Sequence, residues 1–260
     1  MNILFIGDIV GKLGRKALEK NLPFIKKKYN ISFVIANAEN ITNGKGMSAT
    51  HFQFLIDNDV DCITLGNHYD HCDDIFRVIE NEHIVRPLNV KDEIRGCGSK
   101  EYDVDGVLIR VSNILGTDIS KKVIDDPYES AIGIIGEDES DIHIIDFHAE
   151  YTGEKKAFAY SLKNSVSAII GTHTHVQTRD YQILSTGPFY ISDVGMCGLY
   201  DSVLGTEYNS VVSRVILHDS NVHFKQKDIG DTIFSAVVLK FDDISFKPIE
   251  IVPIYIIDKE

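Results

Sequence analysis

Side chains that can bind metal ions recur in five short segments, each of which follows a short apolar run. In chain order they are GD at 7–8, NAEN at 37–40, GNH at 66–68, DFHAE at 146–150 and GTHTH at 171–175. They supply two carboxylates, at least one carboxamide and four imidazoles: Asp8, Glu39, Asn67, His68, His148, His173 and His175. Oxygen and nitrogen ligands without a thiolate suit Fe, Mn, Zn or Co. The set is too large for one tetrahedral ion and suits two ions that share a carboxylate.

Most of these residues have an ordinary structural explanation when taken singly. An aspartate after a first strand is often a helix N-cap. Glu39 alone could be a solvated loop residue, and His148 alone could be a hydrogen-bonded core histidine. The His-x-His pattern at 173–175 is more specific, because alternate residues of an extended segment share one face and can bind adjacent ions. Chance would rarely place all five segments after strands, so the sequence predicts a metal site.

The elements that must position these segments follow from hydrophobic periodicity. In the first third of the chain, short β-rich runs alternate with amphipathic stretches. The pattern predicts strands at 2–6, 32–36 and 62–65 and helices near 12–29, 48–58 and 73–82. Such alternation indicates βαβ units and a parallel sheet. Open α/β sheets bind ligands at the carboxyl ends of their strands, which is where the polar segments lie.

The rest of the chain predicts a second sheet. A strand–turn–strand begins at residue 102 with Asp105-Gly106 as the turn. Helices follow near 128–135 and 154–163, with strands at 142–147 and 167–171. The part from 181 to 257 is predicted as mostly strand, at 189–194, 210–218, 232–242 and 249–257. Two mixed sheets packed face to face under outer helices would bury these runs. We therefore expect an α/β fold, a four-layer α/β/β/α sandwich, in a single domain spanning 1–260.

The composition narrows the class of protein. The 260 residues carry a formal net charge of −13, which argues against stable nucleic-acid binding. Bound metal cations could still hold an anionic substrate. No apolar run approaches about 18 residues, so no membrane association is expected. The apolar N-terminus lacks the flanks of a signal peptide, and the four cysteines show no CxxC spacing. These features predict free thiols and a cytoplasmic location.

The five segments resemble, in order, the motifs of the calcineurin-like metallophosphoesterase superfamily. Two departures, Val10 in place of a histidine and Glu39 in place of an aspartate, resemble one subfamily, the bacterial YmdB-like phosphodiesterases. That resemblance spans nearly the whole chain and includes GDIVGKLGR, NAENITNGKGM, RPLN at 86–89, GTHTHVQT and ISDVGMCGLYDSVLG at 191–205. The chain differs from the subfamily at Tyr69-Asp70-His71, where a Thr-Trp-Asp-type stretch is more usual, and it has no Trp.

The resemblance implies a division of the ligands between two ions. Glu39 would bridge the ions, and Asp8 and His175 would complete one site. The other site would be completed by Asn67, His148 and His173. The resemblance further implies two divalent or trivalent transition-metal ions per chain, with iron or manganese favoured and zinc as the alternative. It also implies phosphodiesterase activity toward 2',3'-cyclic or 3',5'-cyclic nucleotides, and homo-oligomers.

In the expected mechanism, a metal-bridged hydroxide attacks phosphorus and His68 protonates the leaving alkoxide. Orienting a neighbouring ligand is the alternative role for His68. Substrate contacts are expected from Lys12, Lys45, Tyr69 and His71, although the glycines around Lys45 could serve only a turn. Residues expected to orient the ligating imidazoles, or else to cap strand ends, are Asn40, Asp146 and Asp193.

Two other functions remain open at this stage. A phosphomonoesterase or nucleotidase would use the same metal ligands, because the ions activate water in either case. A regulatory metal-binding protein with slow turnover would also keep them. The expected partner is a small-molecule phosphodiester, with short RNA as a further substrate class. The shape of the substrate pocket distinguishes these functions. The pocket is expected at Lys45, Tyr69, His71 and residues 196–205.

Overall fold

The computed structural model describes residues 1–90, 95–119, 124–185 and 187–260. Its helices are α1 Gly11–Tyr29, α2 Ala49–Asp57, α3 Pro127–Ile135, α4 Thr152–Ser161 and α5 Tyr208–Val211, with a 3-10 helix at Asp73–Arg77 and a π-helix at Val212–Ile216. Its strands are β1 Asn2–Ile6, β2 Asp8–Ile9, β3 Phe33–Asn37, β4 Cys62–Thr64, β5 Ile84–Val85, β6 Ser99–Val104, β7 Val107–Leu115, β8 Ile142–His148, β9 Ala168–Thr172, β10 Gln182–Ile183, β11 Phe189–Ile191, β12 Met196–Leu199, β13 Thr232–Phe241 and β14 Pro248–Asp258.

The strands form two mixed sheets. The first sheet has the order β2-β12-β13-β1-β3-β4-β5, with β14 paired to the other side of β13. Strands β1, β3, β4 and β5 run parallel, whereas β13 is antiparallel to β1. The second sheet has the order β10-β11-β9-β8-β7-β6, and its four central strands are parallel. The parallel strands of each sheet therefore end at a common edge.

Three apolar clusters separate four layers. Alternate residues of β1 face opposite sides, as expected for a strand with a period of two. Leu4 packs with Leu18 of α1 in the outer cluster of the first sheet. Phe5 packs with Ile144 of β8 in the cluster between the sheets. On the outer side of the second sheet, Phe147 packs against helix α4. The predicted α/β/β/α sandwich is confirmed.

Local signals also placed the hairpin correctly. Asp105 and Gly106 both have positive φ, 54° and 86°, which is the backbone of a tight hairpin turn between β6 and β7. Pro253 lies within β14, which pairs only with β13 among the described strands. A proline is tolerated there because an edge strand leaves one row of amides unpaired. No helix in the described parts of the chain is long and apolar enough to cross a membrane.

Two predicted elements are wrong. The helix expected at 73–82 is only the 3-10 helix Asp73–Arg77, because the side chain of Cys72 does not cap it and little beyond Ile75 and Ile79 is buried. The strand expected at 210–218 is helical. The Glu207 side chain accepts the backbone N–H groups of Asn209 and Ser210 and starts a helix there. The β-branched residues that follow are exposed. Their strand propensity was therefore misleading, because it reflects packing on a half-buried sheet surface that is not present here.

Candidate metal centre

The five polar segments meet at one edge of the two sheets. Asp8 begins β2, Glu39 lies two residues beyond β3, and Asn67 lies three residues beyond β4. His148 ends β8, and His173 directly follows β9. Parallel strands bring their carboxyl ends to one edge, and the face-to-face packing of the sheets brings the two edges together. Side chains from both sheets therefore converge.

The centre of the cluster is Nε2 of His148, a residue that is fully buried. This nitrogen lies 3.3 Å from Oε2 of Glu39. It also lies 3.1 Å from Oδ1 of Asn67 and 3.1 Å from Nδ1 of His173. Ligand atoms of Glu39, His148 and His173 all lie within 4.8 Å of one another. Four side chains therefore direct oxygen or nitrogen atoms into one small space.

Neighbouring hydrogen bonds fix which nitrogen of His148 faces this space. The Thr172 hydroxyl donates to Oδ1 of Asp146 at 2.6 Å, so its oxygen accepts the proton on Nδ1 of His148 at 2.8 Å. Nδ2 of Asn37 donates to the second oxygen of Asp146 at 3.1 Å. Nε2 of His148 is therefore the nitrogen that faces the cluster. Asp146 thus orients His148 through Thr172 rather than by direct contact.

A second pair of candidate ligands lies beside the first. Asp8 is fully buried, and its Oδ2 accepts the backbone N–H of His173 at 3.2 Å. Its Oδ1 has no hydrogen-bond partner among the described residues and lies 3.8 Å from Nε2 of His175. Nδ1 of His175 donates to the carbonyl oxygen of Leu204 at 3.0 Å, which turns Nε2 toward Asp8. A buried carboxylate oxygen without a donor is costly unless a cation pairs with it.

Asn40 connects the two groups. Its Nδ2 donates to Oε1 of Glu39 at 2.7 Å and lies 3.3 Å from Nε2 of His175. Its Oδ1 lies 3.0 Å from Nδ1 of His68. The amide therefore contacts a ligand of each group and the candidate proton donor together.

The carboxylates and imidazoles of this cluster shift one another's pKa values. Burial raises the pKa of Asp8 to about 6, although His175 and His148 oppose that shift. Burial also acts to raise the pKa of Glu39, but His148 and His68 hold it well below its usual range. Burial acts to lower the pKa of His148, and the charge of Glu39 overcomes it and raises the pKa to about 9. Burial and His148 lower the pKa of His173 to about 3.

His68 sits at the rim of the cluster and is partly exposed. Its backbone N–H donates to Oε2 of Glu39 at 2.9 Å. Its Nδ1 lies 3.1 Å from Oε1 of Glu39 and 3.0 Å from Oδ1 of Asn40. The Glu39 and Asn40 oxygens are both hydrogen-bond acceptors, so Nδ1 of His68 carries a proton. Nε2 is then the nitrogen that can exchange a proton with a substrate. The ring lies against His71, with 4.6 Å between centroids.

The four expected substrate contacts fall in different places. His71 and Lys45 are exposed, and His71 is next to His68. Lys12 is exposed, and its Nζ lies 3.8 Å from Oδ2 of Asp228. The structure places the Tyr69 side chain in the interior of the protein. Its side chain is 1% exposed and belongs to the core under the first sheet, because the turn after Gly66 directs it inward.

Sequence reasoning missed three residues at the site. Oε2 of Glu150 lies 3.1 Å from Nε2 of His173, on the opposite side of that ring from His148. Thr172 links Asp146 to His148. Lys155 is a buried lysine that contacts the expected orienting residue Asp193. Glu150 and Thr172 lie within the motif segments, so their positions were visible, whereas Lys155 was marked only by its place on the apolar face of α4.

Comparisons with known proteins identify the family of the chain. A family model described as YmdB-like protein matches residues 4–254. A Bacillus subtilis protein named 2',3'-cyclic-nucleotide 2'-phosphodiesterase is 38% identical to this chain. The alignment covers 99% of this chain and 98% of that protein. A Mycoplasma pneumoniae crystal structure, described as a novel phosphatase, matches with a TM-score of 0.92 at 36% identity, over 100% of this chain and 94% of that one. A Thermus thermophilus structure has the same TM-score at 33% identity, over 99% of this chain and 100% of that one. The chain belongs to the YmdB-like family.

Proposed function

We propose that this protein is a dinuclear-metal phosphodiesterase that hydrolyses 2',3'-cyclic nucleotides, 3',5'-cyclic nucleotides or both. The observation that carries the proposal is the convergence of Glu39, Asn67 and His173 on Nε2 of His148. The site also buries the carboxylates of Asp8 and Glu39, and buried charges are paired or bind metal ions. The name of the Bacillus subtilis relative supports a cyclic-nucleotide substrate.

The donor set suits two ions. Asn67, His148 and His173 would hold one ion, and Asp8 and His175 would hold the other. Glu39 would serve both, since its Oε2 faces His148 while its Oε1 faces Asn40 near His175. Oxygen and imidazole ligands of this kind bind iron or manganese, with zinc as the alternative. Bound ions would supply Lewis acidity and lower the pKa of a water molecule, which makes a nucleophile available near neutral pH.

His68 would carry the proton to the leaving group. Glu39 and Asn40 hold the N–H on Nδ1, so a second proton on Nε2 can be donated to the leaving oxygen. His71 and Lys45 would face the bound nucleotide at the rim, where both side chains are exposed. Lys45 would place positive charge near an anionic substrate on a chain whose net charge is −13.

Metal content and substrate choice test the proposal together. We expect about two transition-metal ions per chain by elemental analysis of protein purified without chelators. We expect Mn²⁺-dependent cleavage of bis-p-nitrophenyl phosphate and of 2',3'-cyclic AMP. Glu39→Gln should lose both metal and activity. Glu19→Gln, which replaces an exposed carboxylate on α1, should keep both.

Three results would contradict the proposal in different ways. Protein that binds no metal and gains no activity from Mn²⁺ or Fe²⁺ would exclude the dinuclear site. Two bound ions with faster hydrolysis of p-nitrophenyl phosphate than of any diester would favour a phosphomonoesterase, in line with the description of the Mycoplasma pneumoniae relative as a phosphatase. Two bound ions with no turnover of either ester would favour a regulatory metal-binding protein.

A further inference from the structure

A buried lysine lies directly behind the metal-ligand turn. Lys155 is 1% exposed and shares the inner face of α4 with Phe158 and Ala159. Its Nζ donates to the carbonyl oxygen of Thr172 at 2.7 Å and to Oδ2 of Asp193 at 2.9 Å. Lysine is rarely fully buried unless it is paired, so its presence here calls for a specific role.

Asp193 extends the contact around the turn. Oδ2 of Asp193 also accepts the backbone N–H of Thr174 at 2.8 Å. The Thr172 carbonyl and the Thr174 N–H belong to the two peptide groups that flank His173. Lys155 and Asp193 therefore hold the backbone on both sides of this candidate ligand.

The same pair reaches the second group of ligands. Oδ1 of Asp193 accepts the backbone N–H of Gly195 at 2.8 Å. The carbonyl oxygen of Gly195 in turn accepts the backbone N–H of Asp8 at 3.1 Å. A continuous series of hydrogen bonds thus runs from Lys155 through Asp193 and Gly195 to Asp8. It fixes segments that contribute ligands to both proposed ions.

The turn from His173 to His175 has an unfavourable backbone conformation. His173 and His175 have φ values of 99° and 66°, in the region that non-glycine residues rarely adopt. Such conformations persist only where surrounding contacts impose them, and they cluster at functional sites. Without the contacts from Lys155 and Asp193, the turn could relax toward ordinary φ values. The two imidazoles would then lose the directions shown here.

Stability alone does not account for a buried ion pair. The desolvation of two charges often cancels their attraction, and apolar residues of similar volume usually serve stability as well. A role in fixing one backbone conformation is the other recognised reason for such a pair to be kept. The partners of Lys155 and Asp193 are backbone atoms of the ligand turn, which identifies the conformation that is fixed.

We propose that Lys155, together with Asp193, is a positioning residue that holds the His173–Thr174–His175 turn in its metal-binding conformation. The inference rests on the proposed function, because it requires the turn to supply metal ligands. The hydrogen bonds of Lys155 Nζ go to the Thr172 carbonyl oxygen and to Asp193. It acts through the backbone of Thr172 and Thr174.

Metal binding to the full-length protein tests this role without reference to activity. Chelator-treated wild type and Lys155→Met would be titrated with Co²⁺ by calorimetry and by visible absorption, at a temperature where circular dichroism shows both folded. Supporting contacts around metal ligands typically change affinity about 10- to 100-fold, so we expect Lys155→Met to weaken Co²⁺ binding by that factor. The Co²⁺ absorption bands, which report ligand geometry, should also change. Lys155→Arg, which keeps charged donors, should recover part of the affinity.

Lys156→Met is the matched control, since Lys156 is the exposed neighbour on the same helix. It should bind Co²⁺ as the wild type does. A folded Lys155→Met protein with wild-type affinity and spectrum would overturn the inference while leaving the proposed function intact. Wild type that binds no Co²⁺ would overturn the proposed function and the inference with it. If Lys155→Met does not fold, Asp193→Asn decides: weakened binding supports the role, and wild-type binding excludes it.

Discussion

His68 is held in place by Glu39 and Asn40, and this arrangement separates its two nitrogens by function. One nitrogen is occupied by acceptors at 3.0 and 3.1 Å, and the other is left for the leaving group. The alternative role, in which His68 only orients a ligand, uses the same contacts. The two roles differ in how they depend on the leaving group, because a general acid matters most when the leaving group is a poor one.

We expect His68→Ala to retain metal and to lose about 10²- to 10⁴-fold in kcat on 2',3'-cyclic AMP, whose leaving group is an alkoxide. The loss on bis-p-nitrophenyl phosphate should be smaller, since nitrophenolate leaves without a proton. Steady-state kinetics on both substrates, with metal content measured in parallel, would check this. His223→Ala, at an exposed histidine, is the control. Equal losses on both substrates would assign His68 to orienting a ligand.

At the level of elements, polar side chains also join strands at the opposite end of the second sheet. Oγ of Ser112 on β7 lies 2.9 Å from Nε2 of His143 on β8, and Nδ1 of His143 lies 2.7 Å from Oδ2 of Asp138. This order of groups is that of a serine hydrolase. Ser112 is fully buried, however, and its hydroxyl also contacts Ser99 at 2.8 Å. The series therefore connects strands and does not form a nucleophile.

Asp138 is the charged end of that series. Its carboxylate accepts Nε–H of Arg110 at 2.8 Å and the backbone N–H of Ser140 at 2.9 Å. Burial acts to raise the pKa of Asp138, but the hydrogen bonds from His143, Ser140 and Arg110 hold it well below its usual range. A pKa that is lower in the folded state than in the unfolded state means that the ionised carboxylate stabilises the fold. This contribution is complete above the unfolded pKa and is lost as pH falls toward the folded pKa.

We expect Asp138→Asn to lower the free energy of unfolding at pH 7 by about 1–2 kcal/mol, a modest value because the carboxylate remains partly solvated. The difference from wild type should persist down to about pH 4, near the unfolded pKa of an aspartate, and shrink below it. Urea unfolding at pH 7, 5 and 3 would measure it. Glu139→Gln, at an exposed carboxylate one residue away, should show no such difference. A difference that is constant with pH would exclude the ionised carboxylate as its cause.

The elements were predictable where local pattern and tertiary burial agree. Strands β1, β3, β8 and β9 follow buried β-rich runs, and their ends predicted which candidate ligands meet. The strand predicted at 210–218 was wrong because the β-branched residues there do not pack against a sheet. Contacts such as Lys155 with Asp193 join helix α4 to the end of β11, and no spacing in the sequence reveals such a pairing. The inward position of the Tyr69 side chain was not predictable for a related reason, since the direction of a turn decides which side chain faces the core.

On the scale of the whole molecule, charge and apolar exposure are unevenly distributed. The chain carries a net charge of −13, whereas the segment 203–229 has three acidic residues and three basic ones, Glu207, Asp219, Asp228, Arg214, Lys225 and Lys227. That segment also exposes large apolar side chains, including Ile216 at 65% and Leu217 at 69%. Two copies of an acidic chain repel each other over most of their surfaces. A neutral apolar face is therefore where a second copy can approach.

We expect the protein to form a homo-oligomer through this neutral segment, as its resemblance to the YmdB-like phosphodiesterases implies. Light scattering after gel filtration should give a multiple of 29.1 kDa. The double variant Ile216→Glu/Leu217→Glu should give the monomer mass, because it buries charge in an apolar contact. Ile244→Glu changes a residue that is 90% exposed outside the segment and should not alter the mass. A double variant that keeps the wild-type mass would place the interface elsewhere, and a monomeric wild type would refute the expectation. The carbonyl oxygen of Leu204, in the same segment, accepts a hydrogen bond from Nδ1 of the candidate metal ligand His175. Measuring metal affinity of a monomeric variant would therefore show whether assembly affects the metal site.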